Sequence, residues 1–353
     1  MRLFISTDKG LIQYQYNKGR WEEVKIHHNG LPIGYFHIDG RDNTWRVAIN
    51  HRHWGPKIYC SDNEGTTWIE MSTPSFPVTD TVVLKSIWTL SYSGNDPAGT
   101  FYAGTEPAAL FKTVDNGKQF TLNESLWKHP SKNTWTGGGK GSHDPFLHEI
   151  LFDPEDKDHL YAAISCGGVF SSRDNGKTWD PLNKGIRADY LPVQFPETGQ
   201  DPHILRICKS KPNVLWQQNH CGVYRSENKG LLWSDLSDTR KSTDYGFCMA
   251  IDHENENRAW IIPCQSDDFR IPVNNKLSVF MTGDGGHAWE EKSKGLPTGY
   301  AFDVVLRQGM DSYKNHLVFG SNNGNVYCSD NYGDQWKTVT QNLAPVRQVT
   351  LYP

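Results

Sequence analysis

Ser172-Arg173-Asp174-Asn175-Gly176-Lys177-Thr178-Trp179 is one of six copies of a single octapeptide in this chain. The others begin at Ser61 (SDNEGTTW), Thr113 (TVDNGKQF), Ser226 (SENKGLLW), Thr282 (TGDGGHAW) and Ser329 (SDNYGDQW), and Ser6-Thr7-Asp8-Lys9-Gly10 is a degenerate copy. The closing aromatics stand at 68, 120, 179, 233, 289 and 336, in steps of 52, 59, 54, 56 and 47 residues. A period of this size marks a repeat architecture, each repeat a supersecondary unit stacked on its neighbours.

The residue types explain the turn. A leading Ser or Thr and a later Asp or Asn fold their side-chain oxygens onto backbone N–H groups. The Gly takes a left-handed conformation without a Cβ penalty. The aromatic carries the chain into the next strand and buries a large ring. A strand signal precedes every copy (KIYC, ALFK, GVFS, GVYR, SVFM, NVYC), so each octapeptide joins two strands of a hairpin and serves as scaffold.

This pattern resembles the Asp-box, or BNR, repeat of sialidases, sortilin-type receptor domains, xyloglucanases and photosystem assembly factors. The likeness covers nearly the whole chain and extends to bacterial propellers labelled as BNR-repeat glycosyl hydrolases. It implies an all-β fold, a β-propeller. It implies less about function, because those relatives include both hydrolases and pure binding proteins.

At 353 residues the chain exceeds the size at which a single core stops growing, about 250–300 residues, but a propeller escapes that limit by repetition. One domain over 1–353 is expected. Three strands at the start (MRLFIST, GLIQYQY, WEEVKI) lack a partner that Val346–Leu351 would supply, giving seven blades with the ring closed by the C-terminal strand. The other six run over about 33–72, 80–125, 146–182, 202–237, 245–292 and 299–340.

A net charge of −4 without a basic cluster argues against nucleic acid as a partner. No run of 18 apolar residues exists, which argues against a membrane-spanning helix. Of seven cysteines, Cys60 and Cys328 share one position in two repeats, and Cys166 and Cys221 share another. Repeated placement reads as strand packing rather than a disulfide framework, and a cytoplasmic location is expected.

In propellers the octapeptide turns lie on one face, while the loops joining the second and third strands of a blade, and one blade to the next, emerge on the other. That second face collects His51, His53, Glu106, Cys166, His220, the stretches 126–145 and 183–202, and an insertion from Cys264 to Asn275. Ordered loops of such length are uncommon and usually functional. His148 and His203 each begin an inner strand (LHEILFD, PHILRIC), which places them beside the channel mouth. His148, His203, His220 and Glu106 are therefore the candidates for proton transfer near neutral pH. Trp135, in the Gly-rich stretch WTGGGKGSHD, is the candidate stacking platform of a lid over the mouth, with His53, Asp201 and Asp268 as further ligand contacts. Phe269-Arg270-Ile271-Pro272 resembles the sialidase string that supplies a carboxylate-binding arginine, which makes Arg270 the candidate anion clamp. No paired CxxC or HExxH string is present, so no metal ligand is assigned, and no cofactor is identified. These residues point to a glycosidase- or lyase-like enzyme for a small, polar or anionic sugar-like ligand. The alternative is a non-catalytic scaffold that binds a protein partner.

Overall fold

The computed structural model describes residues 1–137, 144–238 and 243–353. The protein is all-β, a seven-bladed β-propeller of seven four-stranded antiparallel sheets. The chain divides into two compact units. One comprises 1–30, 184–196 and 203–353, and the other 31–183 and 197–202.

The second unit holds three blades, whose strands span Ile33–Glu70, Ser86–Leu122 and Leu147–Pro181. Within it, Asn50 ties two blades together: its side chain accepts from Ile87 N and donates to Ile87 O, both at 2.9 Å. The first unit holds the blades spanning Gly246–Glu291 and Met310–Thr340, and the blade built from both chain ends. In that last blade Val346–Tyr352 pairs antiparallel with Arg2–Thr7, as the unpaired N-terminal strands predict. The remaining blade, Pro202–Asp235, lies in the first unit from His203 onward. The blade expected from 299 begins its first strand only at Met310, because a turn closed by Gly309 N donating to Leu306 O precedes it.

All six octapeptides adopt one hydrogen-bond pattern. The leading hydroxyl donates to the Asp or Asn two residues on, as Ser172 Oγ does to Asp174 Oδ1 at 2.8 Å. It also accepts from the glycine N–H, 2.7 Å for Gly176. Asp174 Oδ1 then accepts from Lys177 N and Thr178 N. Hydrogen bonds from Thr178, offset only partly by desolvation, hold the Asp174 carboxyl down at about 2. The residue before the glycine is left-handed as well, Asn175 at φ 57° ahead of Gly176 at 81°.

The closing tryptophans reach back one blade. Trp179 Nε1 donates to Asn123 Oδ1 at 3.0 Å, Trp289 Nε1 to Leu236 O at 2.8 Å, and Trp336 Nε1 to Lys292 O at 2.6 Å. Each buried indole thus joins sheet to sheet; truncating one to Ala would cost about 3–5 kcal/mol. These contacts leave the starts of the inner strands to position other chemistry.

Candidate functional site

In the first unit, side chains from separate segments converge on the ring of Phe247 in the strand Gly246–Ile251. His203, from the strand starting at Pro202, stacks on it with centroids 4.7 Å apart and planes 24° from parallel. Tyr245 meets it edge-on at 5.5 Å, and the guanidinium carbons of Arg270 and Arg307 lie 5.2 and 5.9 Å from the same centroid. His220, in the hairpin between Leu215–Asn219 and Gly222–Ser226, packs on His203 at 5.5 Å and Tyr245 at 5.4 Å.

Hydrogen bonds set the state of these groups. His203 Nδ1 lies 2.6 Å from Gly246 O. A carbonyl only accepts, so Nδ1 carries the proton and Nε2 the lone pair. Tyr245 donates its hydroxyl to Asp267 Oδ1 at 3.0 Å, and burial together with the Asp267 charge raises its pKa, keeping it a phenol at neutral pH. Burial opposes ionisation of Asp267, but the Arg270 hydrogen bond and charge more than offset it and hold the carboxyl below its ordinary range. Arg270 Nε donates to Asp267 Oδ1 at 3.0 Å, and Nη2 donates to the same oxygen. About half of the Arg270 side chain is exposed, so the guanidinium is reachable from solvent.

Two of the four residues expected to transfer protons, His203 and His220, are therefore neighbours, and Arg270 joins them through Phe247. Tyr245 and Arg307 are members of this cluster that the sequence reading missed. Tyr245 had a usable signal, since it precedes an inner strand as His203 begins one. Arg307 had none.

Other expectations are corrected. Trp135, read as a stacking platform, is only 6% exposed. Phe170 packs at 5.2 Å and His129 at 6.3 Å from it, and its Nε1 donates to Ser131 Oγ, so its face is spent on the core. The Gly-rich stretch after it, 138–143 with His143, lies outside the described residues. Glu106, read as a proton-transfer group, is buried and accepts from Ser86 Oγ at 3.0 Å and Trp88 Nε1 at 3.2 Å, the environment of a structural carboxylate. His148 is fully buried, with Nε2 2.8 Å from Pro202 O, a bond that anchors its strand. Asp201 accepts from Ser165 Oγ and Cys166 N, an engagement that does not exclude the ligand contact expected of it. His53 is exposed and accepts from Arg52 Nε at 3.1 Å. Asp268 is exposed, and its neighbour Asp267 is the carboxylate that engages Arg270. All seven cysteines are free thiols. Among the described residues no helix is long and apolar enough to cross a membrane.

The chain is 21% identical over 283 residues to the oligoxyloglucan-reducing end-specific xyloglucanase of Emericella nidulans, covering 71% of this chain and 32% of that protein. It is 23% identical over 272 residues to xyloglucanase Xgh74A of Acetivibrio thermocellus, 69% of this chain and 30% of that one. It thus spans about a third of the length of the curated relatives it matches. Among solved structures, an ancestral GH74 enzyme matches with TM-score 0.60 at 16% identity over 88% of this chain and 38% of that one. YCF48 bound to D1 peptide matches with TM-score 0.53 at 15% identity over 92% and 85%. These likenesses establish the fold. No family model matches the chain.

Proposed function

We propose that this chain is a carbohydrate-active enzyme, glycosidase- or lyase-like, which acts on an acidic sugar at the Phe247 cluster. The convergence of His203, His220, Tyr245, Arg270 and Arg307 around one ring carries the reading. The two arginines meet the ligand's carboxylate, in a planar geometry that a guanidinium matches. His220, half-buried, accepts a proton, while His203 behind it is fixed by Gly246. Tyr245, held as a phenol, donates to the departing oxygen. The similarity to xyloglucanases supports the carbohydrate side of the reading, and the matching positions of Cys60 and Cys328 support a reducing, cytosolic setting.

Elimination fits this cluster better than hydrolysis. Hydrolysis in the usual form needs two available carboxyl groups about 5–10 Å apart. Asp267 is engaged by Tyr245 and Arg270, and Asp303 accepts from Ser321 Oγ and from Asn325 Nδ2 at 2.8 Å. In elimination, the base removes the proton α to the sugar carboxylate. The electron pair forms a C=C bond, and the glycosidic oxygen leaves with its bonding electrons and takes a proton. The test is incubation with uronate-containing and neutral oligosaccharides, following alkene absorbance and new reducing ends. Alkene formation from acidic substrates alone is expected; inertness toward both sets would sink the reading.

A second reading has its own observation. Phe269, Tyr300 and Phe302 are strongly exposed, and Ala301 N donates to Asn275 O, which ties their two loops together. Exposed aromatics of this kind suit a peptide partner, in line with the similarity to peptide-bound YCF48.

A further inference from the structure

We propose that His203 and His220 hold a divalent first-row metal ion. One ring nitrogen of each lies within 4.8 Å of one on the other. The His203 Nδ1–H is donated to Gly246 O at 2.6 Å, so Nε2 is the ring nitrogen that carries the lone pair. Donation of the second ring N–H to a backbone carbonyl is the arrangement that orients metal-ligating histidines and raises their basicity. The His203 ring is further fixed by its stack on Phe247 and is almost wholly buried, as a ligand held in place beneath a site would be.

Geometry and charge agree with this. At Zn–N bonds of about 2.0–2.1 Å, two ligating nitrogens stand roughly 3–3.5 Å apart. His220 sits in a hairpin loop and is only half-buried, so a modest ring rotation closes the gap. Tyr245, packed on His220 at 5.4 Å, donates its hydroxyl to Asp267 Oδ1, which brings a carboxylate into the same cluster. Imidazole donors favour Zn²⁺, Fe²⁺, Co²⁺ or Ni²⁺ over Mg²⁺ and Ca²⁺. Two protein nitrogens leave positions open for water or a ligand carboxylate, the property of a reactive rather than a structural centre. A lone pair given to the ion does not take the substrate's proton, so with the ion bound a coordinated water would replace His220 as the base; uptake itself is measured without substrate, apart from the sugar reading.

The experiment takes the full chain, strips it with a chelator, loads it with Zn²⁺ or Co²⁺, and removes the excess. Elemental analysis is expected to return about one ion per chain, and Co²⁺ to show the visible bands of nitrogen ligation. Zn²⁺ at about 100 times its Kd is expected to raise the melting temperature. His220→Gln, at a half-buried position and with folding checked by circular dichroism, is expected to lose uptake at least about tenfold, and His203→Ala likewise. His53→Ala, an exposed histidine of the second unit, is expected to retain it. Uptake well below one ion per chain would overturn the proposal, as would undiminished uptake by folded His220→Gln. Loss of uptake in His53→Ala as well would mark nonspecific surface binding and overturn it equally.

Discussion

His203 donates its Nδ1–H to the carbonyl oxygen of Gly246 across 2.6 Å, and this one bond fixes Nε2 as the ring nitrogen with the lone pair. His203→Phe keeps the ring on Phe247 and most of the volume but removes both nitrogens. Turnover on an acidic sugar is expected to fall at least about 100-fold, the scale of a lost acid–base group. The fold is expected to survive with about 1–3 kcal/mol lost for the unsatisfied carbonyl. Steady-state kinetics and urea denaturation of the same preparation separate the two effects.

Arg270 is held by Asp267 and lies over Phe247, poised for a planar anion. Arg270→Lys keeps the charge and loses the fork. The expected result is a KM for acidic sugars raised about 10–100-fold, the worth of one or two charge-assisted bonds, with binding of neutral sugars unchanged. Equal losses on both classes would show that the arginine serves packing instead.

The octapeptide turns are predicted to carry stability and no chemistry. Ser172 Oγ donates to Asp174 and accepts from Gly176 N, so Ser172→Ala leaves a buried N–H without its acceptor. A loss of about 1–3 kcal/mol is expected in chemical denaturation, with turnover unaltered.

These turns were legible because their bonds span at most four residues, so spacing alone specifies them. The pairing of Val346–Tyr352 with Arg2–Thr7 was legible for a different reason: three N-terminal strands needed a fourth. The candidate site was only half legible. His203, His220 and Arg270 stood out by residue type and loop position, but Arg307 reaches Phe247 from an irregular segment. Trp135 misled because a Gly-rich neighbourhood suggests exposure, whereas its ring packs on Phe170. Inner-strand alternation also fails locally, since a register shift falls between Leu147 and Glu149 and leaves both His148 and Glu149 buried.

Acid is predicted to destabilise the second unit through His37. Burial, reinforced by the Arg46 charge and only partly offset by the hydrogen bond to Leu90 O, lowers its folded pKa to about 4. The unfolded ring takes its proton near the ordinary value of about 6.5. Its contribution is therefore fully present above about pH 6.5 and is lost as pH falls toward about 4, at up to ~1.4 kcal/mol per pH unit. Denaturation series at pH 5 and pH 7 are expected to show this gap, reduced in His37→Phe.

The most direct test of the account is a calorimetric titration of the full chain with a uronate oligosaccharide and with its methyl ester, which removes the charge and little else. The account predicts that the acid binds at least about tenfold more tightly than the ester, and that Arg270→Ala together with Arg307→Ala abolishes the difference. Equal affinity for acid and ester, or a preference for the acid that survives the double substitution, would contradict it.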